Sequence, residues 1–188
     1  MSIKILHFAE LPSTNDYAIE LVGKNYSSQK IDDMAILADI QTSGRGRLNK
    51  RVWISRLGNF HCSYIINIGK LGLRAETSPM ITDISVVALR DFLASITGDG
   101  DRINTKFPND ILVTHPAEAI MFPNGRKVAG ILVEIFYPYA VIGIGLNLQN
   151  SPVKTAANIL DEFKILVNPL ELVDNLYKFL IDGIARGF

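Results

Sequence analysis

Cysteine is almost absent from this chain of 188 residues, because Cys62 is the only one. A single cysteine cannot form an internal disulfide, and it does not supply the paired thiolates of a structural zinc site. The stability of the fold must therefore come from its hydrophobic core rather than from disulfides or bound zinc. It is also compatible with a reducing compartment, so we expect it to be cytoplasmic.

Charge imbalance and long apolar runs are missing as well. Lys plus Arg and Asp plus Glu number 19 each, so the chain has no basic excess to hold a polyanion by counterion release. Glu134 interrupts the longest apolar candidate before it reaches the roughly 18 residues that span a bilayer. The N-terminus also lacks the apolar core of a secretory signal. Nucleic acid and membrane are therefore not expected partners.

The residues that are abundant predict one domain of α+β type. Apolar residues make up 48% of the chain, and no repeat or low-complexity linker divides residues 1–188. Short turns in the middle of the chain indicate antiparallel pairing, so we predict a mixed, largely antiparallel central sheet flanked by helices. The predicted strands are 3–8, 34–40, 59–68, 102–107, 110–115, 127–137 and 139–148, and the predicted helices are 14–23, 75–97 and 168–185.

A basic, glycine-containing loop follows the second predicted strand. The segment Gln41–Trp53 reads QTSGRGRLNKRVW and contains four basic residues. Glycines let the backbone approach a ligand, and guanidinium groups suit bidentate contact with carboxylate or phosphate. Taken alone, the loop fits a nucleic-acid patch, a solvated turn or a ligand-binding loop equally well.

Two further motifs place polar or small residues where apolar ones are expected. KFPND at 106–110 sets three polar side chains around a proline, although an ordinary Pro-Asn turn has the same composition. Gly143 and Gly145 lie two residues apart, so they share one strand face with Asn147. Such a bare face fits either a flat ligand or a helix packed closely over the sheet, and Gly130 has the same two interpretations.

Together, in their order and spacing, these motifs resemble the catalytic domain of the biotin protein ligases. The resemblance implies the fold shared by that family and class II aminoacyl-tRNA synthetases. It also implies an ATP-dependent ligase that makes biotinyl-5′-AMP and transfers biotin to a lysine of biotin carboxyl carrier protein, with Mg²⁺. The matching segments are STN at 13–15, QTSGRGR at 41–47, Trp53, GNF at 58–60, KFPND at 106–110, KVAGILVE at 127–134 and GIGLN at 143–147.

The resemblance further implies a role for each matched residue. The implied catalytic residues are Lys127, Arg45 and Asp110, with Asp110 orienting either Mg²⁺ or the acceptor lysine. The implied biotin-binding residues are Ser13, Thr14, Asn15, Gln41, Gly44, Arg45, Gly46, Arg47, Lys127 and Gly130. The implied ATP-binding residues are Arg47, Trp53, Lys106, Asn109 and Asn147. His61 is expected to be a packed or exposed residue rather than a catalytic one, and roles for Lys50 and Arg51 stay open.

The sequence also departs from the family pattern. Phe107 stands where KWPND has tryptophan, and Arg56 stands where proline is frequent. No helix-turn-helix precedes Ser13, so we expect no sequence-specific DNA binding, and we expect the small C-terminal β-barrel cap of many relatives to be absent. The oligomeric state is open, a homodimer included. A lipoate protein ligase-like enzyme and a non-catalytic biotin-binding module remain alternatives.

Overall fold

The computed structural model describes residues 3–25, 31–47, 52–77 and 79–187. The predicted strands and the three predicted helices are all present there, with small shifts in their bounds, and a fourth, short helix is added. The strands are β1 (Lys4–Leu11), β2 (Met34–Gln41), β3 (Phe60–Asn67), β4 (Ile103–Lys106), β5 (Asp110–Val113), β6 (Arg126–Phe136) and β7 (Tyr139–Leu146). The helices are α1 (Thr14–Asn25), α2 (Met80–Thr97), α3 (Ile159–Phe163) and α4 (Pro169–Arg186).

The seven strands form one sheet in the order β1-β2-β3-β7-β6-β5-β4. Strand β1 runs parallel to β2, and every other neighbouring pair is antiparallel. The predicted α+β fold with a mixed, largely antiparallel sheet is therefore confirmed. Strand β3 lies third from one edge and is buried along its whole length.

Helices α2 and α4 pack against one face of the sheet. Ile84, Leu89 and Phe92 of α2 and Leu176 and Leu180 of α4 are buried against the strands in the larger hydrophobic core. Each side chain of this size contributes about 1.5–3 kcal/mol when it is fully removed from water. Packing on this face therefore stabilises the sheet whose opposite face carries the site.

The opposite face is divided between a smaller core and a cavity. Ala18 and Val22 of α1 pack over Ile36, Ile65 and Val141 of the central strands. Helix α1 covers only that part of the face. The neighbouring part, toward β6 and β5, carries glycines and polar residues and forms the cavity described below.

Local capping signals explain where helices α1 and α4 begin. The Ser13 hydroxyl accepts a hydrogen bond from the backbone N–H of Asp16 at 3.2 Å. Asn168 accepts one from the N–H of Leu170 at 3.0 Å, and Pro169 occupies the first helical position. Both caps agree with the predicted helix starts near residues 14 and 168, because a cap depends only on residues adjacent in sequence.

Helix α2 ends as predicted but begins later. Gly98 terminates it in the left-handed conformation with φ of 69°, which favours glycine. The predicted start at Ala75 is wrong, because Ala75–Thr77 form a separate 3₁₀ turn and α2 starts at Met80. Pro79 lacks the N–H that a continuous helix would use at that position.

Helix α3 was not predicted from the sequence. It has only five residues and is capped by Asn158, which accepts from the N–H of Asp161 at 2.8 Å. Its residue Glu162 pairs with both Arg102 and Arg126, and the Glu162 side chain is only 4% exposed. This buried ion cluster fastens α3 to the far edge of the sheet.

Candidate functional site

A cavity of about 170 Å³ lies on the part of the sheet that α1 leaves uncovered. Its floor is formed by β5, β6 and β7, one wall by the start of α1, and its roof by the segment that follows β2. Of the residues predicted for the site, those that line it are Ser13, Thr14, Asn15, Gln41, Arg45, Gly46, Arg47, Trp53, Asn109, Asp110, Lys127 and Gly130.

Strand register explains why residues far apart in sequence meet on this floor. Asp110 pairs with Gly130, Gly130 with Gly145, and Gly145 with His61. Residues directly opposite one another in neighbouring strands project to the same face. The four therefore form one row across the sheet, and the two glycines make its centre flat.

The glycines of β7 are required by close neighbours rather than by turns. A Cβ on Gly143 would overlap Asn15 Oδ1 and lie 2.7 Å from its Cγ. A Cβ on Gly145 would overlap the Trp53 ring, with Cδ2 at 2.8 Å. The interpretation of close helix packing is confirmed at Gly143, which receives Asn15 of helix α1, whereas Gly145 receives the Trp53 ring, which neither interpretation had named.

A β-bulge in β6 brings Lys127 to the cavity. Lys127 and Gly130 are three residues apart, so a regular strand would place them on opposite faces. Ile111 of β5 pairs with Ala129, but the next residue, Leu112, pairs with Lys127, so β6 contains one extra residue here. Val128 and Ala129 are both buried in the larger core. The extra residue returns Lys127 to the same face as Gly130.

Lys127 is held between a carboxylate and an aromatic ring. Its Nζ lies 2.6 Å from Asp110 Oδ1 and 5.5 Å from the centre of the Trp53 ring. The Asp110 side chain is 17% exposed and that of Lys127 36%, so water screens this pair only in part. The cavity wall therefore presents an oriented ammonium group.

The loop, defined here as residues 41–55, is anchored by hydrogen bonds in its two described parts, 41–47 and 52–55. Thr42 N–H donates to Leu11 at 3.0 Å, which continues the β1–β2 pairing past the strand end. Ser55 Oγ accepts from the N–H of Gln41 at 2.9 Å and so joins the two ends of the loop. The backbone N–H of Trp53 donates to the backbone oxygen of Gly44 at 2.9 Å. The loop thus returns over the sheet with Trp53 directed inward.

A network of hydrogen bonds links the loop base to the start of α1. Gln41 Oε1 accepts from both the N–H and the hydroxyl of Thr14, at 2.8 and 3.1 Å. Ser63 Oγ donates to Asn15 Oδ1 at 2.6 Å, and Asn15 Nδ2 donates to Glu134 Oε2 at 2.9 Å. The polar side chains predicted for one ligand thus orient one another.

No individual role was predicted for Ser63 or Glu134, although residues 58–63 were expected to form a wall of the pocket and the motif at 127–134 ends in Glu134. Ser63 is a fully buried polar residue in an apolar strand, and it pairs with Gly143, the first residue of the motif GIGLN. Glu134 is the single charge within the apolar run of β6, which was the available signal for it.

Arg45 lies at the outer end of the cavity with two carboxylates. Its guanidinium is 2.8 Å from Glu134 Oε2 and 2.7 Å from Asp16 Oδ1. Burial alone would lower the pKa of Arg45, but its hydrogen bonds and charge pairing with Glu134 and Asp16 outweigh burial and raise it. Its backbone also forms a bridge with Val52 across the loop.

His61 is packed beneath the site. It is fully buried, and burial lowers its pKa to about 4, while hydrogen bonds to the backbone of Ala38 and Asp39 offset part of the effect. Ser55 Oγ lies 3.2 Å from its Nε2. A neutral, packed histidine agrees with the expectation from sequence.

Three predicted residues lie outside the lining of the cavity. Lys106 is exposed on the edge strand β4. Gly44 is buried where its Cβ would meet Trp53 and Gln41. Asn147 is buried and donates to Ala157 at 3.0 Å, but it lines a second cavity, also of about 170 Å³, beside Trp53. Lys50 and Arg51 lie outside the described residues.

Metal and membrane features can be stated for the described residues only. In those ranges no group of three or more His, Cys, Asp or Glu side chains is placed to hold a metal ion. Across the same part of the chain, no helix combines the length and apolar character that crossing a membrane requires.

Fold and cavity together define the class of protein: an α+β small-molecule-binding domain whose cationic cavity suits an anionic ligand. A family model described as the Biotin/lipoate A/B protein ligase family matches residues 8–147. The chain belongs to this family.

Individual relatives agree with this assignment. The bifunctional ligase/repressor BirA of Bacillus subtilis (strain 168) is 31% identical over 157 residues, covering 81% of this chain and 42% of the relative. The biotin--[acetyl-CoA-carboxylase] ligase of Mycobacterium tuberculosis is 28% identical over 147 residues, covering 77% and 49%. The chain therefore spans less than half the length of both.

Solved structures show the same fold. Biotin protein ligase from Leishmania major, in complex with biotinyl-5-AMP, superposes with a TM-score of 0.78 at 25% identity. The superposition covers 97% of this chain and 75% of that one.

Proposed function

We propose that the chain activates biotin with ATP as biotinyl-5′-AMP and transfers the biotinyl group to a lysine of the biotin carboxyl carrier protein of acetyl-CoA carboxylase. The observation that carries the proposal is the Lys127 ammonium, held at the cavity wall by Asp110 under a loop that bears Arg45 and Arg47. This arrangement suits a reaction between two anions.

The first half-reaction brings a carboxylate against a triphosphate. Their mutual repulsion requires cations that are already in place when charge develops, because fixed groups need no reorganisation at that moment. Lys127 is such a group, and we assign it to the biotin carboxylate and the α-phosphate. Arg47, exposed on the loop at the cavity, is assigned to the phosphate side.

We assign the biotin ring to the end of the cavity formed by the start of α1. Small hydrogen-bonding groups on an otherwise apolar pocket fix a ligand's orientation, and Ser13, Thr14, Asn15 and Gln41 are such groups. Gly130 belongs to the floor under this ligand. Gly44 and Gly46 are assigned to the folding of the loop over it.

The nucleotide is assigned to the Trp53 side of the site. Trp53 and Lys127 line both the main cavity and the second one, which supports a ligand that extends from one to the other. Asn109 would contact the nucleotide in the first cavity and Asn147 in the second. Lys106 would act from outside, on the phosphates.

The donor set fits Mg²⁺ that arrives with ATP rather than a resident metal. Asp110 is the single carboxylate among the cavity-lining residues in the described chain. Mg²⁺ commonly binds one or two carboxylates together with substrate phosphates and keeps several waters. Asp110 would hold the ion, which supplies neutralisation of phosphate charge.

The loop has a second role in this proposal, which is to exclude water from the mixed anhydride. A closed site strengthens every electrostatic interaction within it and slows hydrolysis of the intermediate. We further propose that the protein acts in the cytoplasm, in keeping with its single cysteine, and that it does not bind DNA, which its zero net charge supports.

Pyrophosphate release in the presence of biotin, ATP and Mg²⁺, followed by label transfer to a carrier domain, tests the proposal. Lys127→Ala is expected to reduce turnover about 100- to 1000-fold, the usual effect of removing one group that stabilises developing negative charge. Lys24→Ala is the matched control, since Lys24 pairs with Glu20 on the exposed side of α1. Unchanged transfer by Lys127→Ala would refute the assignment.

The same assay separates the alternatives. Turnover with lipoate but not biotin would identify a lipoate ligase. Biotin binding without pyrophosphate release would identify a non-catalytic binding module.

A further inference from the structure

Glu134 stands behind the cavity rather than in its lining. It lies on β6, and its side chain is 26% exposed. One carboxylate oxygen, Oε2, accepts from Asn15 Nδ2 at 2.9 Å and from the Arg45 guanidinium at 2.8 Å. A single atom therefore contacts both the wall of the cavity and its roof.

The first of these contacts fixes the orientation of Asn15. Its Nδ2 donates to Glu134 and, at 3.3 Å, to the backbone oxygen of Leu132. Its Oδ1 accepts from Ser63 at 2.6 Å and lies against the bare backbone of Gly143. Reversing the amide would place its oxygen against the Glu134 carboxylate and the Leu132 carbonyl, which are both acceptors, so Glu134 and Leu132 select a single orientation.

The second contact fastens the loop. Arg45 comes from the loop, whereas Glu134 belongs to the sheet, so their ion pair crosses the cavity edge. Asp16 provides another carboxylate, but its side chain is 51% exposed. Water and salt screen an exposed pair more than a half-buried one, so Glu134 is the stronger partner.

We propose that Glu134 is a positioning residue for the ligase reaction, holding Asn15 in the orientation that lines the biotin end of the cavity and holding Arg45, in the described part of the loop, at the cavity edge. Glu134 acts on the substrate only through these two residues. The inference rests on the proposed function, because it assumes that biotin occupies the α1 end of the cavity.

Glu134→Gln tests the inference with little change in shape. The amide oxygen can still accept one hydrogen bond, but it has no charge to hold Arg45 and Asn15 together. We expect the biotin Kd and KM to rise about tenfold, because a smaller fraction of molecules has the binding-competent arrangement, while kcat stays within about twofold. Isothermal titration and steady-state pyrophosphate release measure these values.

Two further comparisons distinguish positioning from a general loss of structure. Glu20→Gln makes the same chemical change at an exposed Glu of α1 that pairs with Lys24, and it should leave biotin affinity unchanged. If Glu134 acts partly through Arg45, the double variant Glu134→Gln/Arg45→Gln should weaken binding less than the product of the two single effects. Melting of the ligand-free variants shows whether stability alone has changed.

A biotin Kd for Glu134→Gln within twofold of wild type would overturn the inference, as would independent, multiplying effects in the double variant. Both results leave the proposed function intact, provided that the wild type releases pyrophosphate. A wild-type protein that neither binds biotin nor releases pyrophosphate would overturn the proposed function, and this inference with it.

Discussion

Gly143→Ala tests the close approach of α1 to the sheet, on which the biotin end of the cavity depends. The new methyl group would lie 2.7 Å from Asn15 Cγ, whereas carbon atoms pack at about 3.5–4.0 Å. The Asn15 side chain must therefore move by about 1 Å. It is 4% exposed, so it cannot simply turn into water.

The cost follows from the hydrogen bonds that this movement breaks. Asn15 would lose its bond with Ser63, which contributes about 1 kcal/mol, and its bond to the Glu134 carboxylate, which contributes about 1.5–3 kcal/mol. The free energy of unfolding should therefore fall by about 2–4 kcal/mol. For a domain of this size, the melting temperature should fall by roughly 5–15 °C.

Thermal and urea unfolding measure this change, and biotin titration should show weaker binding. Gly23→Ala is a matched control with the opposite expected sign. Gly23 lies in α1 with no atom within 4 Å of its added Cβ, so alanine should stabilise the helix by about 0.5–1 kcal/mol. Equal stability and equal biotin affinity for Gly143→Ala and wild type would refute the reasoning.

Two further predictions concern buried ionisable groups. Glu162→Gln should lower the free energy of unfolding by about 3 kcal/mol in urea, since it leaves Arg102 and Arg126 without their buried carboxylate; an unchanged midpoint would contradict this. The pKa of His61 is about 4 in the folded protein, against an ordinary value of 6.5 for the unfolded chain. The contribution of neutral His61 to the free energy of unfolding is therefore complete above pH 6.5 and is lost as pH falls toward 4. The difference in stability between wild type and His61→Asn should shrink by up to about 3 kcal/mol across that window, and a constant difference would contradict the assignment.

The parts of the fold that depend on neighbouring residues could be predicted from sequence. The caps at Ser13 and Asn168 and the stop at Gly98 involve residues within four positions of each other. The bulge that turns Lys127 toward the cavity is different, because it is defined by the pairing of β5 with β6. Period-two alternation alone would have placed Lys127 and Gly130 on opposite faces.

The candidate site shows the same division. The family motifs indicated Thr14, Asn15 and Gln41, yet the residues that orient Asn15 are Ser63 and Glu134, at sequence separations of 48 and 119. Only the strand order brings these two beside α1. Within the motif KFPND, Lys106 and Asp110 pair across β4 and β5, yet only Asp110 lines the cavity, while Lys106 is exposed on the edge strand.

The parallel pairing of β1 with β2 has a consequence for how this protein could change. Strands β1 and β2 end at the same rim, with Leu11 paired to Gln41, so residues 13–15 and the loop emerge side by side from one continuous stretch of chain. The Lys127–Asp110 pair comes from a separate antiparallel meander. Under the proposed function, the polar groups that contact the biotin ring come from residues 4–55, whereas the ammonium that activates the acid comes from β6. Exchange of residues 4–55 would therefore change the contacts to the ring while Lys127 stayed in place, provided that Ser63 and Glu134 were kept to orient the new residue 15.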